Sequence, residues 1–141
     1  MRFHYPRMAY WLLKTEPDCY SWVQMEKDGE TFWDGIHNFQ ARNYLRQVKK
    51  GDFAFFYHTG DERRIMGIVE ITREAYPDQE DPQWSWVDVK RVRAVKRAIS
   101  LDELKNHPGL SGMKLFKQGR LSVVPLTEGE WDLVMGLTNG L

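Results

Sequence analysis

Three strand-like segments follow one another in the middle of this sequence, and they limit the possible folds more than any other feature. They cover residues 53–58, 64–71 and 84–95, and each is rich in β-branched or aromatic residues. The third mixes apolar residues with Lys and Arg, which is typical of a long strand that bends or twists midway. A chain with such a centre must build a sheet.

Helix signals lie on both sides of these segments. Four residues occupy positions typical of a helix N-cap, and three of them are followed three residues later by Gln or Glu, as in a capping box; they are Ser21, Asn38, Ser100 and Thr127. The first of these helices should end near residues 28–29, and Gly51 should end the second. Two further strands are predicted at residues 10–14 and 120–125. Strands from all parts of the chain, joined by short helices, predict a mixed α+β domain.

Length and charge limit the number of domains and the kinds of partner. The chain has 141 residues, which is the size of one domain, and we expect a leader at residues 1–8 and a single domain at residues 9–141. Lys plus Arg number 20 and Asp plus Glu number 20, so the formal net charge is zero. This balance argues against a protein that holds nucleic acid mainly by attraction to phosphates. No apolar run approaches the length of a membrane span, so no membrane partner is expected.

Cysteine and histidine usage limits the chemistry. Cys19 is the single cysteine and cannot form an internal disulfide, which favours a reducing, cytoplasmic setting. The four histidines have no metal-like spacing, and no motif for phosphates, dinucleotides or a serine nucleophile is present, so we expect no metal and no cofactor. Cys19 beside His58 is one conceivable nucleophile, for which a structural cysteine is the favoured interpretation. Lys14 with Glu16 or Glu70 is one conceivable acid–base set, for which an ion-paired or solvated lysine is favoured.

Four blocks of sequence resemble one known family when they are taken in order and spacing. They are KTEPDCYS at residues 14–21, WDGIHNFQARN at 33–43, GDFAFFYHT at 51–59 and RLSVVP at 120–125. Over about residues 9–137 the chain resembles the EVE domain family. The resemblance implies a PUA-like fold, a twisted, partly closed mixed β-barrel flanked by short helices and related in shape to YTH and ASCH domains. It also implies binding of RNA or DNA, with a modified base held in a pocket.

The matched blocks contain what reading a base requires: an aromatic ring to stack on, fixed hydrogen-bond partners for the base edge, and positive charge for the backbone. Trp33, in a turn that contains a glycine, is the first stacking candidate, and Tyr57 is the second. For any single ring, packing in the core is the competing interpretation. The pocket residues expected from the resemblance are Lys14, Tyr20, Ser21, Trp33, Asn38, Phe39, Gln40, Tyr57, His58, Arg120 and Ser122.

Several of these residues have a local structural alternative. Ser21 and Asn38 are also helix caps. Tyr57 and His58 are adjacent in a strand, so only one of them should point into a given cavity. Flanking phosphates are expected to contact Arg42, Arg46, Arg91 and Arg93, although the first two also suit the negative end of a helix dipole as solvated charges.

Three functions remain open at this point. The first is a non-catalytic reader of a modified base, such as a modified cytosine, in DNA or RNA. The second is an ASCH-like enzyme that acts on a modified nucleoside, with Lys14 and Glu70 as acid and base. The third is a protein-interaction module, which would be favoured if the pocket were filled by the protein's own side chains.

Overall fold

Six strands form one mixed sheet in the computed structural model, which describes residues 9–139. The predicted leader at residues 1–8 lies outside the described residues, as do the last two residues of the predicted domain. The strand order is β2-β5-β4-β3-β1-β6, with β1 and β3 parallel and every other neighbouring pair antiparallel. The strands are β1 (Tyr10–Thr15), β2 (Glu30–Trp33), β3 (Phe53–His58), β4 (Arg64–Pro77), β5 (Ser85–Ser100) and β6 (Val123–Leu126).

Short helices occupy the connections, and four of them begin at the N-caps that the sequence predicts. Each of the four capping side chains accepts a hydrogen bond from the backbone N–H three residues further on, and Thr127 with Glu130 forms the reciprocal capping box. The helices are α1 (Trp22–Asp28), α2 (Phe39–Leu45), α3 (Leu101–Asn106), α4 (Lys114–Lys117) and α5 (Glu128–Thr138), with a 3₁₀ helix at Pro108–Leu110.

The sheet curls, so that its two ends approach each other. Strands β2 and β6 lie at opposite ends of the strand order, yet Trp33 of β2 and Ser122, which precedes β6, line the same cavity. Within residues 9–139, β2 and β6 each pair with a single neighbour, so the sheet is not closed into a full barrel. The observed fold is therefore the α+β, PUA-like, twisted and partly closed arrangement that the resemblance implied.

The sequence prediction was wrong at several boundaries. Strands β4 and β5 extend well beyond the predicted ends at residues 71 and 95, because irregularities in their register let the long hairpin bend and continue through polar residues. Helix α2 ends at Leu45, well before Gly51, and the N–H of Lys49 instead bonds to the carboxylate of Asp52. Strand β2, the 3₁₀ helix and α4 were not predicted.

A buried carboxylate fastens β1 to the turn before β3. Asp52 is only 3% exposed, and its two oxygens accept hydrogen bonds from the Ala9 N–H at 3.2 Å, the Trp11 indole N–H at 3.0 Å and the Lys49 N–H at 2.9 Å. A buried charge is costly unless it is paired or hydrogen-bonded. The three donors compensate this one and hold the start of β1 in its parallel pairing with β3.

Helix α1 lies on the sheet at a position that only a glycine allows. A Cβ atom built on Gly67 of β4 would fall inside van der Waals contact with three carbons of the Trp22 indole ring. Trp22 also packs edge-on against Phe56 of β3, with ring centroids 5.2 Å apart. The missing side chain at Gly67 thus provides the space for the first residue of α1.

We predict that Gly67→Ala destabilises the protein by about 1–3 kcal/mol, because the added methyl group overpacks the Trp22 indole. Thermal and urea unfolding measure this change. Gly136→Ala is the matched control: Gly136 lies inside α5, and no neighbouring group comes within 4 Å of the position that a Cβ would take, so there the same substitution should stabilise by about 0.5–1 kcal/mol. Equal effects of the two substitutions would contradict the proposed role of Gly67.

Candidate functional site

A cavity of about 470 Å³ opens where the ends of β1, β2 and the segment before β6 meet. One side consists of the end of β1 and the turn after it, and another consists of β2 and the loop after it. The lining residues are Lys14, Thr15, Glu16, Cys19, Tyr20, Thr31, Phe32, Trp33, Asp34, Gly35, Ile36 and Ser122.

Backbone hydrogen bonds fix the first side of this cavity. The Lys14 N–H donates to the Ser122 carbonyl at 2.9 Å, which extends the pairing of β1 beyond the start of β6. The N–H groups of Cys19 and Tyr20 both donate to the Glu16 carbonyl at 2.9 Å, so the chain turns tightly after β1. This turn brings Tyr20 back to the cavity that Lys14 lines.

Aromatic rings support the inner wall. Trp33 stands edge-on to Tyr20 and to Phe56, with centroid distances of 6.1 and 5.5 Å. Trp33 is the last residue of β2 and pairs with Val87, so the expectation that it lies in a turn outside any strand was wrong. It is 4% exposed, which leaves little of its ring open to a ligand. Trp33 is therefore a supported wall of the cavity.

The polar lining includes one cation and two carboxylates. Lys14 donates from Nζ to the Gly119 carbonyl at 2.9 Å, and burial lowers the pKa of its ammonium group. One of its three N–H donors is used in this bond, so two remain for a ligand. Glu16 and Asp34 bring carboxylate acceptors to the same cavity. Such a lining can both donate hydrogen bonds to a neutral heterocycle and accept them from it, and its two carboxylates disfavour a negatively charged ligand.

A tyrosine–aspartate pair holds Tyr20 in place. Its hydroxyl donates to Asp28 Oδ2 at 2.7 Å. Burial and this hydrogen bond raise the pKa of Tyr20 to about 12, and the same bond lowers the pKa of the exposed Asp28 carboxyl. The contact joins the turn after β1 to the last residue of α1 and so fixes this side of the cavity against the helix.

Four of the predicted pocket residues line the cavity, namely Lys14, Tyr20, Trp33 and Ser122. The other predicted residues lie outside the lining. Ser21 accepts from the Gln24 N–H and Asn38 from the Ala41 N–H, so both act as helix caps.

Three more of the predicted residues lie away from the lining for other reasons. Phe39 is 57% exposed and stacks on Trp84 with a centroid distance of 5.1 Å. Gln40 donates to Gln118 Oε1 at 3.2 Å, and Arg120 is exposed in the turn before β6. Arg120 and Ser122 both precede β6, because this strand begins at Val123 and not at residue 120 as predicted.

His58 has a structural role in this fold. Its Nε2 accepts a hydrogen bond from the Trp22 N–H at 2.9 Å, and its Nδ1 lies 3.1 Å from Glu62 Oε1. The acceptor role of Nε2 places the proton on Nδ1, which donates to Glu62. Tyr57, the neighbouring residue in β3, is also buried, and its ring centroid lies 5.9 Å from Lys14 Nζ. Neither residue lines the cavity, although Tyr57 contacts a residue that does.

The arginines expected at phosphates make contacts within the protein. Arg42 and Arg46 both donate to the Gln83 carbonyl, and Arg46 also donates to Ser85 Oγ at 2.9 Å. They brace the loop before β5 and are not merely solvated charges. Arg91 forms an exposed ion pair with Glu26 at 3.4 Å. Arg93 donates to the carbonyl of its neighbour Ala94.

The predicted acid–base pair of Lys14 and Glu70 does not form. The register pairs Lys14 with Tyr57, whereas Glu70 pairs with Phe53 at the other end of β3. Four residues along a strand span about 13 Å, so the two groups face different parts of the sheet. The conceivable pair of Cys19 and His58 is also absent, because both His58 nitrogens are engaged elsewhere and Cys19 Sγ lies near Glu16 Oε2, at 3.7 Å. Cys19 is exposed, so it is not a buried structural cysteine either.

The cavity residues that sequence reasoning missed come mainly from β2 and the loop after it. Thr31 and Phe32 lie in a short run of β-branched and aromatic residues between Gly29 and Gly35, which is a strand signal. Asp34 and Ile36 lie inside a matched sequence block, but nothing in their spacing separates them from its other members.

Two other kinds of feature, a metal cluster and a membrane-spanning helix, are not found in the part of the chain that the structure describes. Within residues 9–139, no group of three or more His, Cys, Asp or Glu side chains is arranged to hold a metal ion. None of the helices described there has the length and apolar character needed to cross a membrane.

Comparison with known proteins assigns the family. The model of the EVE domain matches residues 9–137. The chain belongs to the EVE domain family. Thymocyte nuclear protein 1 of Gallus gallus is 40% identical over 165 aligned positions, which cover 92% of this chain and 68% of that protein.

Solved structures agree with the assignment. The human THYN1 protein in complex with 5-methylcytosine-containing DNA superimposes with a TM-score of 0.87 at 37% identity, covering 92% of this chain and 97% of that chain. The YTH domain of the MRB1 protein of Zygosaccharomyces rouxii has a TM-score of 0.58 at 12% identity and covers 98% and 92% of the two chains. At that identity the second likeness concerns the fold alone.

We predict that this EVE domain loses stability as the pH rises from about 10 to about 12. Tyr20 has a pKa of about 12 in the folded protein, and an unfolded tyrosine ionises near 10. The unfolded chain therefore gives up this proton first, which favours unfolding. The pKa values of Tyr57 and Tyr76 are also raised to about 12, so they add to the effect. Urea unfolding across this pH range should show a smaller decline for Tyr20→Phe, and an identical decline would contradict the assignment.

Proposed function

We propose that this EVE domain is a non-catalytic module that binds a modified cytosine of DNA in the cavity between β1, β2 and the segment before β6. The observation that carries the proposal is the lining, where the donors of Lys14 and the acceptors of Glu16 and Asp34 meet beside aromatic walls. The human relative bound to 5-methylcytosine-containing DNA supports the choice of DNA and of this base.

The size and polarity of the cavity fit one base. A volume of about 470 Å³ lies within the range of about 300–1,000 Å³ typical of small-molecule sites. Cytosine offers an amino group that donates to carboxylates, and its carbonyl oxygen and one ring nitrogen accept hydrogen bonds. The acceptors Glu16 and Asp34 and the free donors of Lys14 match this pattern. The two carboxylates also favour an uncharged ring over a phosphate inside the cavity.

The modification itself would contact apolar lining. Phe32, which is 51% exposed, offers the kind of apolar surface that a 5-methyl group prefers, whereas Ile36 is buried and supports the lining from behind. A single methyl group in such a pocket is worth about 1–3 kcal/mol, so discrimination between 5-methylcytosine and cytosine should be about 10- to 200-fold. The same range of discrimination applies to a modified cytosine in RNA, and the lining of the cavity does not favour RNA over DNA.

The catalytic alternative has less support. The register of the sheet keeps Glu70 apart from Lys14, so of the two carboxylates considered for the acid–base pair only Glu16 lies in the same cavity. Glu16 is the carboxylate beside Lys14 in the lining, where it also lies within 3.7 Å of Cys19 Sγ. Mass spectrometry of acylated or alkylated nucleosides after incubation with the protein tests this alternative, and formation of a product would favour it over the reader. The cytoplasmic location expected from the single cysteine stays a prediction.

We predict that Ser122→Phe abolishes recognition of the modified base, because the larger side chain fills the cavity beside Lys14. Fluorescence anisotropy with a labelled oligonucleotide, carrying either 5-methylcytosine or cytosine at one position, measures the affinity ratio. We expect about 10- to 200-fold discrimination for the parent protein and a ratio near one for the variant.

Ser111→Phe is the matched control, since Ser111 is exposed after the 3₁₀ helix and does not line the cavity. It should retain the ratio of the parent protein. Thermal unfolding of both variants establishes that they are folded. A Ser122→Phe variant that is folded and still discriminates would refute the cavity as the site of the base.

We also predict a weak salt dependence of binding. With a formal net charge of zero and most of the predicted phosphate-binding arginines engaged within the protein, few counterions are released on binding. A plot of log K against log salt concentration should have a slope no steeper than about −4. A steeper slope would show that phosphate contacts dominate the affinity.

A further inference from the structure

A row of aromatic side chains leads away from the cavity across three neighbouring strands. Phe32 of β2 stacks on Trp86 of β5, with centroids 5.0 Å apart and planes inclined by 17°. Tyr76 of β4 stands edge-on to Trp86 at 6.2 Å, and the Arg73 guanidinium lies 3.6 Å from the Tyr76 ring centroid. The order from the cavity outwards is Phe32, Trp86, Tyr76 and Arg73, and we call these four residues the aromatic row.

The strand register places the row on one face of the sheet. Tyr76 is paired with Trp86, and both Phe32 and Arg73 are paired with Asp88, two residues further along β5. Residues two apart in a strand share a face, so the four side chains project together. The Tyr76 hydroxyl donates to Asp88 Oδ1 at 2.6 Å, which fixes the ring and gives the Asp88 carboxylate a partner.

The row is partly open to solvent and does not belong to the core: Arg73 is exposed, while Trp86 and Tyr76 are partly buried. Phe32 is 51% exposed, while Trp33, the next residue in β2, is 4% exposed. Alternation along β2 therefore turns Trp33 inwards and Phe32 outwards. Contacting rings that are partly exposed and flanked by a guanidinium form a contiguous surface of the type that marks a binding site.

The row is continuous with the cavity. Phe32 belongs to the cavity lining and also makes the first stacking contact of the row. A strand whose modified base enters the cavity would thus have its neighbouring nucleotides at the row. Aromatic stacking suits these nucleotides because every base has a ring face, so the contact does not depend on sequence.

We propose that the aromatic row stacks unpaired bases adjacent to the modified one, and hence that the ligand of this protein is a single-stranded segment. This inference rests on the proposed function, because it takes the cavity as the place of the modified base. Arg73 is the only cation in the row, and it can contact one phosphate of the bound segment. Affinity from the row then comes mainly from stacking, in keeping with the net charge of zero.

The test uses the full chain and two single-stranded probes, the 5-methylcytidine mononucleotide and a labelled hexanucleotide with one central 5-methylcytosine. Trp86→Ala removes the centre of the row and changes none of the residues that line the cavity. Because stacking is worth about 1–3 kcal/mol per base, we expect hexanucleotide affinity to fall by about 5-fold to 150-fold. Mononucleotide affinity and the ratio of 5-methylcytosine to cytosine should stay unchanged.

Two further variants make the result specific. Trp86→Phe keeps a ring in the row and should recover most of the hexanucleotide affinity. Phe39→Ala is the matched control, because Phe39 is likewise an exposed ring stacked on a tryptophan, Trp84, yet lies outside both the row and the cavity lining. It should bind both probes as the parent does, and thermal unfolding checks the fold of each variant.

The outcomes separate this proposal from the proposed function. Equal hexanucleotide affinity for Trp86→Ala and the parent would overturn the row as a stacking site and leave the cavity proposal intact. Tighter binding of a fully paired duplex than of the single-stranded hexanucleotide would also overturn it. A loss of hexanucleotide affinity in Trp86→Ala without any discrimination of 5-methylcytosine would support the row and refute the base-reading cavity.

Discussion

The close approach of Trp22 to the backbone of Gly67 is the contact on which the cavity side of this protein depends. It seats the first residue of α1 directly on the sheet, and the Trp22 N–H then bonds to His58 Nε2 of β3. The hydroxyl of Tyr20 reaches Asp28 at the other end of the same helix. The turn between β1 and α1, which provides much of the cavity wall, is therefore held at the strand by backbone hydrogen bonds and at the helix by the pair of Tyr20 and Asp28.

Burial of the Trp22 indole has an energetic cost, because its Nε1 is buried and has no hydrogen-bond partner within residues 9–139. An unsatisfied buried donor costs about 1–3 kcal/mol, which the packing of the ring against Phe56 and Gly67 must offset. The position of α1 is thus selected by shape, because no polar contact of the indole favours it.

Signals within a few residues of sequence correctly predicted the features that depend only on neighbouring residues, such as helix caps. The caps at Ser21 and Thr127 are correct because a side-chain oxygen three residues before a free N–H needs no tertiary contact to act. Strand β2 was missed because its four residues are too short for a periodic pattern and are stabilised by pairing with β5, which is distant in sequence. The length of β5 was underestimated because register irregularities, invisible in one strand alone, let it continue through charged residues.

The candidate site shows the same division between local and distant information. The resemblance of the matched blocks correctly grouped Lys14, Trp33 and Ser122 in one cavity. These residues meet only when the sheet curls as the PUA-like fold implies. The blocks could not separate a lining residue from a cap or a buried neighbour. His58 is the clearest case, because its two ring nitrogens are committed to Trp22 and Glu62. That commitment depends on where α1 lies, which no spacing within the block around His58 encodes.

The distribution of charge explains why selectivity and affinity should come from different parts of the molecule. The carboxylates of Glu16 and Asp34 make the cavity a poor place for a phosphate and a good one for a neutral base edge. Such a cavity discriminates between bases by how well they fit, yet the contact with a single methyl group limits the difference in affinity that it can achieve. Additional affinity must then come from outside the cavity. A protein with no net charge gains little affinity from electrostatic contacts with phosphates. Partly exposed rings beside the cavity are the remaining source of affinity, because stacking requires neither net charge nor a particular sequence.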